Sequence, residues 1–226
     1  MMPQKLVLYN YKQSPYSHRA LLALEALGAT YENINVDIWD KPEWFAKDIY
    51  PEGKVPVLAV DGVHVPESLV IVELVDRLSG GNLVPADPIK LAQSRVAIEF
   101  FGPIPRLCMQ LGTKQITAAE FFEQSETGFE RLHELLLEQA ENGPYFLGDQ
   151  YSLADIAIAP LLARYLAFCK FILQGYSPAS ISKHPRLQQF VDGNLAHPAF
   201  QKTYIGDAAY AEYLQMVSAK MAAGPK

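Results

Sequence analysis

Ser14-Pro15-Tyr16 stands where an apolar strand-like run, Lys5–Asn10, gives way to a helical pattern with Pro15 in its first turn. Ser14 therefore falls at or near a helix N-cap. Its hydroxyl there has two uses. It can close off the unpaired N–H groups of the first turn, or it can donate to an anion drawn to those N–H groups and to the helix dipole. A thiolate held at such a point would have its pKa lowered and be more reactive at neutral pH. No base stands beside Ser14 in the sequence, so it reads as a hydrogen-bond donor rather than an attacking group.

Two further stretches carry comparable groups. Gly53-Lys54-Val55-Pro56-Val57-Leu58 puts a proline inside an apolar run, although proline cannot donate to a ladder. A cis Val55–Pro56 bond at the head of a strand would turn the Val55 backbone outward, toward a peptide-like ligand. An ordinary trans proline at a strand start is the other reading. Pro66-Glu67-Ser68 again opens a helix. Its acid and hydroxyl serve either as cap and dipole complement, or as a grip on an amino-acid head group, Glu67 on the ammonium and Ser68 with backbone N–H on the carboxylate.

These groups need a scaffold, and the chain's periodicity supplies one. Lys5–Asn10, Thr30–Val36, Val55–Val60 and Val63–Val65 read as strands, with a tight turn at Asp61-Gly62. Tyr16–Leu27 and Glu67–Ser79 read as helices that stop at Gly28 and Gly80-Gly81, and Lys41–Phe45 opens a short helix. The order βαβ, short α, ββα is a thioredoxin-like arrangement. Residues 81–87 read as a Pro-bearing linker between residues 1–80 and 88–226. Beyond it the pattern is helical, over about 88–111, 117–141, 152–173, 184–196 and 207–222. Ser152-Leu153-Ala154-Asp155 is a capping-box-like start, and Ile156–Leu166 a buried central helix.

Composition narrows the class. The 226 residues are 50% hydrophobic with a net charge of −6, which argues against a general binder of nucleic acid or of anionic membranes. Two cysteines, Cys108 and Cys169, are too few for a disulfide framework and fit a reducing compartment. The amino terminus lacks a signal-like apolar core, and no run is long enough to span a membrane. A cytoplasmic location is expected. The five histidines lack ligand spacing, and no metal site is expected. Tyr9 and Tyr11 read as packing residues, as do Trp39 and Trp44.

Taken together, Ser14-Pro-Tyr-Ser-His-Arg19, Leu27–Glu32, Lys41-Pro-Glu-Trp-Phe45, Lys54–Leu58, Glu67–Glu73 and Ser152–Ile156 resemble the cytosolic glutathione transferases along most of the chain. Lys41-Pro-Glu-Trp-Phe45 looks like the omega class; Ser-Pro-aromatic and Glu-Ser-Leu-Val-Ile look like the tau class and serine-bearing omega-like proteins. The resemblance implies an α/β thioredoxin-like domain followed by an all-α domain. It makes glutathione the co-substrate, with no prosthetic group. It implies that Ser14 faces the glutathione sulfur, that Lys41 pairs with the glycyl carboxylate with help from Lys54, and that Val55, backed by cis-Pro56, bonds the cysteinyl backbone. Glu67 and Ser68 would hold the γ-glutamyl end. Omega-class proteins usually carry cysteine where this chain has Ser14. A serine cannot form a mixed disulfide, so conjugation and peroxide reduction are expected and thiol exchange is not. Detoxification of hydrophobic electrophiles by a homodimer, or ligandin-type binding of aromatic small molecules with weak catalysis, follow from the same likeness. Tyr16, Phe101, Arg106, Met109, Tyr165 and Phe168 are the candidates for the acceptor site, with plain helical packing as the alternative for most.

Overall fold

The computed structural model describes residues 5–223. Strands β1 (Leu6–Asn10), β2 (Glu32–Asn35), β3 (Val57–Val60) and β4 (Val63–Pro66) form one sheet in the order β2-β1-β3-β4. β2 runs parallel to β1, and β3 antiparallel to both β1 and β4. The two-residue period of the strands sorts their side chains onto two faces. Leu8 and Leu58 point to one face, where α1 (Pro15–Ala26) and α2 (Ser68–Ser79) cover them with Ala20, Leu21, Leu24, Ile71 and Val75. Tyr9 and Val57 point to the other, against Val36 and Phe45. The sheet is thus dressed as the thioredoxin-like pattern requires.

The short helix expected from Lys41–Phe45 opens at Glu43-Trp44 and continues as a single π-helical turn, Phe45–Ile49, whose last N–H bond runs from Tyr50 to Phe45 O at 3.0 Å. This unit runs through Val84 and also takes in α9 (Pro198–Thr203). Here His18 Nε2 meets Thr203 Oγ1 at 2.8 Å, Lys202 pairs with Glu25 at 2.6 Å, and His18 packs on Phe200.

The second unit comprises Pro85–His197 and resumes at Tyr204. The helix expected over 88–111 is two helices, α3 (Pro88–Phe101) and α4 (Arg106–Gly112). Pro103 and Pro105 cause the break, since each removes an amide donor and crowds the preceding turn. Next come α5 (Ala118–Leu137), α6 (Leu153–Ile172), α7 (Ala179–Lys183), α8 (Pro185–Ala196) and α10 (Asp207–Ala223). α7 and α9 are additional to the helices expected. α6 is the axis of the unit, buried without a break from Leu153 to Tyr165. Its start is fixed by Asp155, fully buried. Asp155 accepts from Ser152 N (2.9 Å), Ser152 Oγ (2.8 Å), Phe146 N (2.8 Å) and Asn194 Nδ2 (3.1 Å). A carboxylate taken wholly out of water needs that number of donors.

Candidate functional site

Ser14 is the N-cap of α1. Its Oγ accepts from Ser17 N–H at 3.2 Å, so the capping role is realised. That bond uses an oxygen lone pair, and the hydroxyl proton is still available to an outside acceptor. Tyr16, in the first turn of α1, borders a cavity of about 250 Å³ together with Tyr50, Lys54, Val55, Pro56, Glu67 and Ser68. Five of the predicted ligand-site residues, Lys54, Val55, Pro56, Glu67 and Ser68, therefore share one hollow. Tyr16, expected at the acceptor site, joins them here.

Each wall has a local cause. The Val55–Pro56 peptide is cis. The ladder of β3 begins only at Val57, which pairs with Pro66, so Val55 lies before the paired register. Glu67 sits at φ 71°, ψ 115°, a backbone conformation rare for a non-glycine residue. Such a conformation costs on the order of 1–3 kcal/mol and is kept where the surroundings over-determine it, often at ligand sites. Ser68 follows as the first residue of α2 and is only 6% exposed.

Ser14 and Lys41 do not line the hollow. Ser14 is two residues from Tyr16 at the start of the same helix. The Lys41 ammonium lies 3.3 Å from where a Cβ on Gly53 would stand. Gly53 has φ +61°, so this turn favours glycine for its backbone, and a side chain there would have only to nudge the flexible end of Lys41.

Sequence reasoning by chemistry missed two residues at this site. Tyr50 is delivered by the π turn, and hydrophobic periodicity does not register a π turn. Arg19 is 6% exposed; its Nη1 donates to Ser68 Oγ at 3.5 Å and its guanidinium lies over the Tyr16 ring at 5.1 Å. The signal for Arg19 was its place in the Ser14–Arg19 motif.

The helical unit has its own apolar cavity of about 770 Å³. Met109, Phe168 and Ile172 line it with Cys108, Leu173, Tyr210 and Leu214. Phe101 and Tyr165 are elsewhere: both are 0% exposed inside the helical core, where Tyr165 stacks on Phe121 and Phe101 meets Phe129 edge to face. Helical spacing puts them on faces that α5 covers, so packing claims them. Arg106 starts α4 exposed to solvent and does not border the cavity. Tyr210 does, and with Tyr204 it flanks the buried Arg164 guanidinium at 5.6 and 5.9 Å. Burial lowers Arg164 to about 10.

The two thiols are free, and burial raises both, Cys169 to about 11. Neither is poised as a nucleophile. Tyr9 packs against Trp44, Phe45 and His64, and Tyr11 is buried. Among the described residues no group of three or more His, Cys, Asp and Glu could hold a metal ion, and no helix is long and apolar enough to cross a membrane.

Comparison with known proteins matches the family model "Glutathione S-transferase, N-terminal domain" to residues 13–78 and "Glutathione S-transferase, C-terminal domain" to residues 121–203. A maleylacetoacetate isomerase of Rhizobium meliloti is 31% identical over 178 residues, which are 70% of this chain and 81% of that protein. The crystal structure of glutathione transferase Omega 2C from Trametes versicolor superposes with a TM-score of 0.78 at 31% identity, covering 96% of this chain and all of that one. Omega 2S from the same fungus, in complex with 2,4-dihydroxybenzophenone, has a TM-score of 0.76 at 29% identity, covering 94% of this chain and 99% of that one. The chain belongs to the glutathione S-transferase family, and the proteins it is similar to include omega-class members.

Proposed function

We propose that this protein conjugates glutathione to hydrophobic electrophiles, with the Ser14 hydroxyl donating a hydrogen bond to the glutathione thiolate. The observation that carries the reading is the hollow walled by Lys54, Val55, Pro56, Glu67 and Ser68 beside the start of α1. Its polar groups match a zwitterionic peptide. Glu67 meets an ammonium, Ser68 and the N-terminus of α2 meet one carboxylate, Lys54 meets the other with Lys41 assisting from beside Gly53 outside the lining, and the Val55 backbone meets the peptide middle. Holding the thiolate about two pKa units below a free thiol corresponds to about 3 kcal/mol. Peroxide reduction fits the same thiolate, two glutathione molecules being oxidised to the disulfide as the peroxide is reduced to alcohol and water. Assembly as a homodimer is part of this reading, and a size measurement in solution checks it.

The test is steady-state conjugation of glutathione to a model aryl halide by the wild type and Ser14→Ala. A hydrogen bond to a charged group is worth about 1.5–3 kcal/mol, so kcat/KM should fall about ten- to a hundred-fold in Ser14→Ala. Unchanged turnover removes Ser14 from the role.

A second reading is a ligandin, a binder of aromatic small molecules with weak catalysis. The apolar cavity of the helical unit, with Met109, Phe168 and Tyr210 on its walls, favours it, and the similar omega-class protein from Trametes versicolor has been crystallised in complex with 2,4-dihydroxybenzophenone. Tight binding of an aromatic dye without wild-type turnover would select this reading.

A further inference from the structure

The rim of the small hollow carries an anion for which the glutathione reading has no use. After the π turn, Gly53 N–H bonds back to Tyr50 O at 2.8 Å, folding 50–53 into a tight turn. Tyr50, Glu52 and Lys54 are thereby gathered at one edge. Lys54 Nζ donates to Glu52 Oε2 at 3.2 Å, and the Tyr50 hydroxyl stands at the same carboxylate. Tyr50 first, and then Lys54, holds the Glu52 carboxyl below the usual carboxylate range, so Glu52 is an anion at neutral pH. Tyr50 and Lys54 both border the hollow. Gly53, between Glu52 and Lys54, is the residue against which the Lys41 ammonium lies.

A ligand carboxylate directed to Lys54 meets an ammonium that already has a partner. Resting on the glutathione reading above, we propose that Glu52 is a resident competitor for the glycyl-carboxylate subsite. Steadied by Tyr50, it occupies Lys54 in the empty site and gives it up when glutathione binds. It thereby sets both the affinity for glutathione and the discrimination between peptides with a free and a blocked C-terminal carboxylate. The geometry suits an occupant that can leave: the Lys54 and Glu52 side chains are 70% and 56% exposed, and an ion pair that open to water is weak. Glu52 itself does not border the hollow, so its departure asks only for a side-chain rotation at the rim.

The experiment measures the dissociation constants of glutathione and of its glycyl monoethyl ester for the wild type, Glu52→Gln, Tyr50→Phe, Lys54→Met and Glu52→Gln/Lys54→Met. Glu52→Gln should tighten glutathione about two- to five-fold, the range of an exposed ion pair. It should leave the ester unchanged. Tyr50→Phe should give part of the same gain, and the gain should vanish in the Lys54→Met background. The proposal is overturned if Glu52→Gln binds glutathione no better than wild type, if the ester gains equally, or if the gain survives without Lys54. Absence of glutathione binding by the wild type would instead bring down the parent reading, and this one with it.

Discussion

Ser14 has one oxygen with two tasks. Its lone pair caps Ser17 N–H at 3.2 Å, and its proton is the part proposed to reach the sulfur of glutathione. A cysteine at the same place would keep the helix N-terminus as its surroundings, which lowers a thiol pKa, and could itself form and release a mixed disulfide. Ser14→Cys should therefore acquire glutathione-dependent reduction of a glutathionylated peptide, an activity expected to be absent from the wild type. Cys108 and Cys169 cannot supply it, since burial raises both thiols. A wild type that already reduces the peptide would show the serine reading to be mistaken. At this scale the sequence was legible where a candidate group coincides with a helix start: Ser14 caps α1, Glu67-Ser68 opens α2, and both positions announce themselves through Pro15 and Pro66. Tyr50 and Arg19 were not legible as chemistry. The depth of Arg19 beneath Ser68 is a product of how α1 and α2 pack, and strand or helix periodicity says nothing of it.

The elements were readable where capping and period agree. α6 begins at Ser152 because Asp155 three residues on returns to the Ser152 N–H at 2.9 Å. The chain was misread where proline overrides a helical pattern, at Pro103 and Pro105, and where a short helix has no apolar period of its own. α7 is of that kind, and a side chain from another helix starts it. Glu126 of α5 accepts from Ala179 N (2.6 Å), Ser180 N (3.0 Å), Ser180 Oγ (2.6 Å) and Tyr176 OH (3.2 Å). Burial pushes the Glu126 carboxyl up, but these donors, Ser180 foremost, outweigh it and hold the carboxyl below its ordinary range. The sign follows directly. A depressed folded pKa contributes stability that is present above the unfolded value, near 4.3, and is lost as pH falls through the folded value. Glu126→Gln keeps the shape and removes the charge. It should cost about 1–3 kcal/mol at pH 7, and the loss relative to wild type should shrink as chemical denaturation is repeated toward pH 3. A pH-independent difference would mean that Glu126 works through shape alone.

At the scale of the whole molecule, sequence order and structural membership part company. A reading along the chain puts everything after residue 88 in one helical block, yet Pro198–Thr203 belongs with the sheet-bearing unit. Nothing in the local pattern of six residues states this, because the partners lie some 180 positions earlier. Phe200 is 1% exposed and packs on His18, itself 2% exposed; Thr203 Oγ1 meets Nε2 of that ring at 2.8 Å. Lys202 bonds Glu25 at 2.6 Å, and Tyr31 donates to the same carboxylate at 2.9 Å. These contacts fall on α1, the helix whose first turns carry Ser14, Tyr16 and Arg19. Phe200→Ala should open a cavity against α1 and cost about 3–5 kcal/mol. Part of that loss should appear locally, since units of a fold can open separately. Hydrogen exchange of the α1 amides should speed up more than that of the α6 amides, and the dissociation constant for glutathione should rise while an aromatic dye bound in the cavity of the helical unit keeps its affinity. Equal acceleration in α1 and α6 would mean that the segment supports the molecule as a whole rather than the helix that bears Ser14.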